Sequence, residues 1–135
     1  MPRLHATFRR PDEAVGWPTT MENATPARLM DALARLEGTF SLTLWLDQEI
    51  EYIARIVAIG QGQYTVEVLI GHDLYTATNA RPEVDIAPLP AGAAAVRGVP
   101  VVRASQILGV VSAVRVAMTW IAVGRLGERW RYLRP

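Results

Sequence analysis

The chain has 135 residues, of which 50% are hydrophobic and 20% are charged, a composition typical of one globular domain. It contains no cysteine and only two histidines, which excludes a disulfide scaffold, a thiol nucleophile and a zinc site built from several cysteines or imidazoles. The formal net charge of +1 is too small for a general nucleic-acid-binding domain, so no nucleic-acid partner is expected.

The N-terminal residues contain no apolar run of signal-peptide length, and a cytoplasmic location is therefore expected. The most apolar stretch, 104–123, reaches the length of a membrane span, but Arg115 lies near its middle. A central charge makes spanning costly, so we expect a buried helix and no membrane association.

The N-terminal third predicts one short strand, a loop and a helix. Apolar and polar side chains alternate over 4–9, which indicates a short edge strand, and a loop is expected over 16–20. A helix is predicted over 26–37, because Thr25 suits the N-cap position and Gly38 suits the stop. Its apolar side chains recur at three- and four-residue spacing, so one face of the helix should be buried.

An antiparallel meander is predicted next, with strands over 41–47, 51–59, 64–70 and 74–78. The second of these is apolar on both faces, which is typical of a central strand that is covered on both sides. In the third, alternation predicts that Tyr64, Val66, Val68 and Ile70 face inward and that Thr65, Glu67 and Leu69 face outward.

The rest of the chain is predicted to form a long connection, a helix and a last strand. Residues 79–100 are rich in proline, glycine and alanine. This composition predicts a long surface loop, with one short strand near 84–86. A helix is expected over 104–123 and a short strand over 129–133. Together the elements predict a single α+β domain over 1–135, in which an antiparallel β-meander packs against two helices and a short C-terminal strand ends the chain.

The sequence shows none of the common catalytic or nucleotide-binding motifs, such as G-x-S-x-G, a P-loop or H-E-x-x-H. His72 and Asp73 are adjacent, but neighbours on a turn rarely face each other, and Asp73 is expected to bond to nearby backbone N–H groups. Asp47, Glu49 and Glu51 suit either a metal or general-acid cluster or, in the interpretation we favour, a solvated hairpin tip. We therefore expect no enzyme activity, no catalytic residue, no metal and no cofactor.

Trp45 is the residue that most strongly indicates binding, because alternation places it opposite the leucines that are expected to face the helices. The neighbouring strands offer apolar and charged side chains on the same face, as a protein-binding patch does. Alternatively, the N-terminal segment or the long loop covers this face. The predicted partner-binding residues are Trp45, Asp47, Glu49, Glu51, Arg55 and Glu67.

The C-terminal part resembles a known family. The segment V-P-V-V-R-A-S at 99–105, the predicted long helix, the turn G-R-L-G-E at 124–128 and Trp130 are similar to the end of the first-described immunity family of bacterial polymorphic toxin systems. The resemblance implies an α+β fold and the neutralisation of a cognate secreted toxin, often a nucleic-acid deaminase. It transfers no binding residue to this chain.

The leading hypothesis is a non-enzymatic immunity or inhibitor protein, a monomer or weak dimer, which occludes the active site of one secreted toxin. The alternative is a structural or chaperone-like interaction domain of a secretion system or phage particle. A third possibility is a small enzyme or ligand-binding domain with a cavity between sheet and helix, in which Tyr52, Tyr64 and Tyr75 supply polar groups.

Overall fold

The computed structural model describes residues 3–10, 19–36, 38–46, 49–60, 62–79, 86–125 and 130–133. At positions 19, 49–51, 79 and 130–133 only the backbone is described. The α+β fold class is confirmed, with an antiparallel sheet that packs against helices.

In the described part of the chain, seven strands form one sheet in the order β2–β1–β3–β4–β5–β6–β9, and every neighbouring pair is antiparallel. The strands are β1 (Leu4–Arg9), β2 (Thr19–Met21), β3 (Ser41–Leu46), β4 (Glu49–Gly60), β5 (Gln63–Ile70), β6 (Asp73–Asn79) and β9 (Trp130–Leu133). The predicted meander is therefore confirmed. Strand β2 was not predicted. It includes the last two residues of the loop expected over 16–20, and it pairs with β1 at the edge of the sheet.

Helix α1 spans Pro26–Arg35, and its N-cap is the predicted one, since the hydroxyl oxygen of Thr25 accepts the N–H of Arg28 at 3.2 Å. The helix ends earlier than predicted, because Leu36 already has an extended backbone. The buried face carries Leu29 and Leu33, as the spacing indicated.

Helix α3 spans Val110–Val123 and is shorter than the predicted helix over 104–123. The preceding residues form a strand, β8 (Val101–Arg103), and one 3₁₀ turn, Ala104–Gln106. Leu108 exchanges two backbone hydrogen bonds with Tyr64, of 2.9 and 2.8 Å. Because the sheet uses these peptide groups, the residues before Val110 cannot continue the helix. None of the helices among the described residues is both long and apolar enough to cross a membrane.

The main core lies between one face of the sheet and helices α1 and α3. Leu42 and Leu44 of β3, Ile56 of β4 and Val66 of β5 are among its buried side chains. Tyr52 packs edge-on against Trp120 of α3, with ring centroids 5.7 Å apart. One inward assignment is wrong, since Ile70 at the end of β5 is 40% exposed.

A second, smaller layer covers part of the other face of the sheet. Strands β7 (Ile86–Pro88) and β8 pair with each other, and helix α2 (Ala91–Arg97) packs against β4. Val57 and Ile59 of β4 are buried in this layer with Ala93 and Val102. The expected loop over 79–100 is therefore wrong for residues 86–97. The expectation that β4 is covered on both sides is confirmed.

Candidate functional site

The face of the sheet opposite α1 and α3, called here the outer face, carries a row of polar residues that crosses six strands. The strand register places Thr20, Thr7, Thr43, Arg55, Glu67 and Thr76 next to one another in that order, one from each of β2, β1, β3, β4, β5 and β6. Thr20 is exposed, Thr7 and Thr43 are half-buried, and Glu67 and Thr76 are buried. The row therefore runs from solvent to a buried end beneath the second layer.

Trp45 lies beside this row, on the same face of β3. It pairs across the strands with His5 of β1, and the two rings stack with centroids 5.6 Å apart and an interplanar angle of 23°. Both side chains are half-buried. Stacking on a neighbouring ring restricts the indole to one orientation, so Trp45 presents a preorganised flat surface at the outer face.

Arg55 lies at the border between the accessible and the covered parts of the outer face. Its Nη2 donates to Oε2 of Glu67 at 2.9 Å and to the carbonyl of Val96 on α2 at 3.2 Å. The side chain is 21% exposed, whereas that of its partner Glu67 is 0% exposed. The guanidinium is therefore directed into the covered part and toward α2.

Glu67 lies on the outer face, as alternation predicts, but it is buried there and not accessible to a partner. Its carboxylate lies under α2, where Nε of Arg97 is 4.0 Å from Oε1 and the side chain of Arg97 is 1% exposed. Arg97 also donates to the hydroxyl of Thr76 and to the carbonyl of Val101, each at 3.2 Å. The physical reason is that α2, within the predicted loop, packs over this part of the sheet.

Arg55, Glu67 and Arg97 form a buried ionic cluster with two positive charges and one negative charge. Burial lowers the pKa of Arg97, the carboxylate of Glu67 raises it, and the charge of Arg55 lowers it. Within the described structure, Nε of both arginines and Oε1 of Glu67 have no hydrogen-bond partner. A cluster that is incompletely hydrogen-bonded adds little net stability, but it dictates where α2 must sit on the sheet.

The acidic residues predicted at the binding face are only partly visible in the structure. Asp47 lies outside the described residues, and for Glu49 and Glu51 only the backbone in β4 is described. The register of β3 and β4 shifts between Leu44 and Leu46, so the strand pairing is irregular next to these acids. Among the described residues, no group of three histidine, aspartate or glutamate side chains is arranged to hold a metal ion.

The sequence analysis did not identify two residues that contribute to this region, His5 on the outer face and Arg97 on the helix that covers it. Alternation puts His5 on the polar face of β1, but stacking on Trp45 depends on the register of two strands that are about forty residues apart along the chain. Arg97 lay in a segment predicted to be a loop, and nothing local marks it as buried. A run of alanines at 93–95 was the available signal, since alanine is the best helix former.

The resemblance to the immunity family covers 99–133, and in the structure this part contains β8, α3 and β9. The carbonyl of Pro100, in the V-P segment, accepts the N–H of Leu89. This hydrogen bond joins the segment to the residue that follows β7 in the second layer. Over 99–125, where the side chains are described, no residue belongs to the accessible part of the outer face around Trp45. No family model matches the sequence, and a search of curated proteins finds no similar sequence.

Proposed function

We propose that the protein is a non-enzymatic inhibitor that binds another protein through the accessible part of its outer face, with Trp45 as the anchor. The observation that carries the proposal is the stacked pair of Trp45 and His5, half-buried on the outer face of the sheet. An indole held in one orientation offers a large contact area and loses little conformational freedom on binding. Tryptophan is also among the residues most enriched at the energetic centres of interfaces.

The surroundings of Trp45 support the same interpretation. The hydroxyl oxygens of Thr7 and Thr20 lie 3.5 Å apart on the neighbouring strands, and Thr43 is beside them in the polar row. Small polar side chains around an aromatic anchor resemble the rim of an interface, where hydrogen bonds and water surround an apolar centre. The buried ionic cluster holds one border of this surface in place, so little reordering is needed when a partner binds.

We further propose that the partner is a secreted bacterial toxin, whose active site the protein covers. The resemblance over 99–133 to an immunity family supports a toxin as the partner. Asp47, Glu49 and Glu51 closely follow Trp45 in the sequence, and three carboxylates there complement the basic cleft of a toxin that acts on nucleic acid. In this proposal the protein acts in the cytoplasm of the bacterial cell that makes the toxin.

A structural or chaperone-like interaction domain is the second candidate, and one observation favours it. On the ribbon of β7 and β8, Ile86 is 62% exposed and Val101 is 40% exposed. Exposed apolar side chains on an outlying ribbon suit assembly into a larger particle. This candidate uses a different surface from the first, so the two are separable by mutation.

The test is affinity purification of the tagged protein from lysate of its own host, followed by mass spectrometry and light scattering. We expect one secreted protein in a stoichiometric complex and a monomer or weak dimer in the absence of that protein. Trp45→Ala should reduce recovery, and Ile86→Ala should leave it unchanged. A stable homo-oligomer, or particle components whose recovery depends on Ile86 and not on Trp45, would contradict the inhibitor and support the second candidate.

A further inference from the structure

A row of apolar side chains lies beside the polar row on the outer face. It consists of Trp45, Ile53, Leu69 and Leu74, called here the apolar row, and each is two residues from a member of the polar row on its own strand. Leu69 pairs directly with Leu74 across β5 and β6. All four side chains are half-buried, and neither hydrophobic cluster of the described residues includes them. The apolar row is therefore outside both cores and partly exposed to solvent.

The second layer ends before it reaches the apolar row. Along β4, Val57 is buried beneath this layer, Arg55 lies at its border, and Ile53 lies beyond the border. A layer that packs on a sheet stands about 10 Å above it. The outer face therefore has a step, with the second layer on the high side and the apolar row on the low side.

The ribbon of β7 and β8 gives the high side of the step an apolar surface as well. Ala87 and Val102 of the ribbon pack in the second hydrophobic cluster, toward the sheet. Alternation therefore directs Ile86, Pro88 and Val101 away from the sheet, and all three are exposed. The same side of the molecule thus carries two apolar surfaces at different heights.

The edges of the ribbon are poorly suited to pairing with another strand. The backbone of Pro88 is directed away from β8, and a proline has no N–H to donate there. On β8, the carbonyl of Val101 accepts a hydrogen bond from Arg97, and the N–H of Arg103 donates to the side-chain oxygen of Gln106. The ribbon is therefore expected to bind a partner through its exposed side chains, and strand addition into a fibre is disfavoured.

We propose that two copies of this chain associate face to face, each placing its ribbon on the apolar row of the other. Because both surfaces lie on the same side of one chain, a two-fold axis brings ribbon and row together twice. The sizes match, since the apolar row crosses four strands, about 14 Å, and the exposed side of the three-residue ribbon is about 10 Å long. The second copy thus fills the low side of each step.

This dimer is weak, and it competes with the proposed protein partner. The apolar row and the ribbon offer far fewer contact residues than the roughly 20–30 per side of a standard interface. The dimer covers Trp45, so it and the complex with a partner exclude each other. This regulatory part rests on the proposed function, whereas the dimer itself does not.

Sedimentation equilibrium of the purified full chain, from about 10 μM to about 1 mM, tests the dimer in the absence of any partner. We expect a reversible monomer–dimer equilibrium. Ile86→Glu on the ribbon and Leu69→Arg on the apolar row should each weaken dimerisation at least about tenfold, because each places a charge in an apolar contact. Val111→Glu, at an exposed apolar position on α3, should dimerise normally.

An equimolar mixture of Ile86→Glu and Leu69→Arg should recover the dimer. In the mixed dimer one ribbon and row are unmodified, and the other ribbon and row carry opposite charges. Recovery also shows that both variants are folded. The proposal is overturned by a chain that stays monomeric at about 1 mM, by a dimer that either variant leaves intact, or by a mixture that does not recover.

The regulatory part has its own measurement, because the dimer is tested without a partner. Adding the partner recovered from lysate to the concentrated protein should dissociate the dimer into complexes that each contain one copy of this chain. A complex that contains the intact dimer would overturn the regulatory part. Failure to find a partner would count against the proposed function and would leave the result for the dimer in place.

Discussion

Arg55 bonds through a single nitrogen to two layers of the protein, since Nη2 donates to Oε2 of Glu67 at 2.9 Å and to the carbonyl of Val96 at 3.2 Å. The first bond joins neighbouring strands of the sheet, and the second joins the sheet to α2. Arg97 approaches the same carboxylate from the helix. Glu67 is therefore the charge that makes the burial of Arg97 tolerable, and removing it should free the second layer from the sheet.

Glu67→Gln keeps the size of the side chain and removes its charge, so two guanidiniums remain beside a neutral amide. We expect the free energy of unfolding to fall by about 3 kcal/mol, as when one partner of a buried ion pair is lost. Urea unfolding at pH 7 measures the change. Glu22→Gln, the same substitution at an exposed position, should change stability by less than about 0.5 kcal/mol. Equal stability of the two variants would show that the cluster does not fasten α2.

Gly124 and Gly98 both end helices with a positive φ, of 70° and 77°. A Cβ at Gly124 would overlap the ring of Tyr52, whereas a Cβ at Gly98 would meet open space. Gly98→Ala should therefore cost about 1 kcal/mol from the backbone alone, and Gly124→Ala should cost about 1–3 kcal/mol more from overpacking. Thermal and urea unfolding of both variants give the difference. A Gly124→Ala variant as stable as Gly98→Ala would mean that Tyr52 moves away freely.

Tyr64 makes stability depend on pH in the alkaline range. Burial raises the pKa of its hydroxyl in the folded protein, so its contribution is complete below about pH 10 and is lost as the pH rises through the folded-state pKa. Melting temperatures should fall more steeply above pH 10 in the unmodified protein than in Tyr64→Phe. At neutral pH the free energy of unfolding of Tyr64→Phe should be lower than that of the unmodified protein by about 1 kcal/mol, since the hydrogen bond to Leu33 is absent. Parallel curves would contradict this role of Tyr64.

Trp45→Ala should weaken binding to the protein partner by about 2 kcal/mol or more, because an anchor that packs at the centre of an interface is lost. The melting temperature should change little, since Trp45 is half-buried and outside both hydrophobic clusters. Calorimetric titration of the partner recovered from lysate measures the effect. Val111→Ala, an exposed apolar position on α3, serves as the control and should bind normally. Unchanged affinity in Trp45→Ala, or a collapse of its melting temperature, would remove Trp45 from the binding surface.

The strands of the meander and helix α1 were predictable because their signals are local. Alternation along Leu42 and Leu44 identifies the buried face of β3, and Thr25 marks the start of α1 through one side-chain hydrogen bond. Alternation also predicted that Trp45 and Glu67 lie on the face opposite these leucines. The order of the strands and the row that joins Thr20 to Thr76 were not predictable, because register depends on pairings between distant parts of the chain.

The start of α3 shows why a local signal fails when the sheet competes for the same backbone. Residues 104–109 continue an apolar helical pattern, yet Leu108 gives its peptide groups to Tyr64. The helix therefore begins only at Val110, and the 3₁₀ turn before it brings Ser105 within 2.8 Å of Thr78. No pattern in the segment itself distinguishes these two uses of the backbone.

The sequence by itself determined the α+β class, the meander, the N-cap of α1 and the position of Trp45 opposite the leucines, since all of these follow from periodicity and nearest neighbours. Only the tertiary structure decided that Glu67 is buried and that His5 stacks on Trp45. The reason is that each of these features is a contact between segments far apart along the chain. Alternation assigns a side chain to a face, but the packing of α2 decides whether that face meets water.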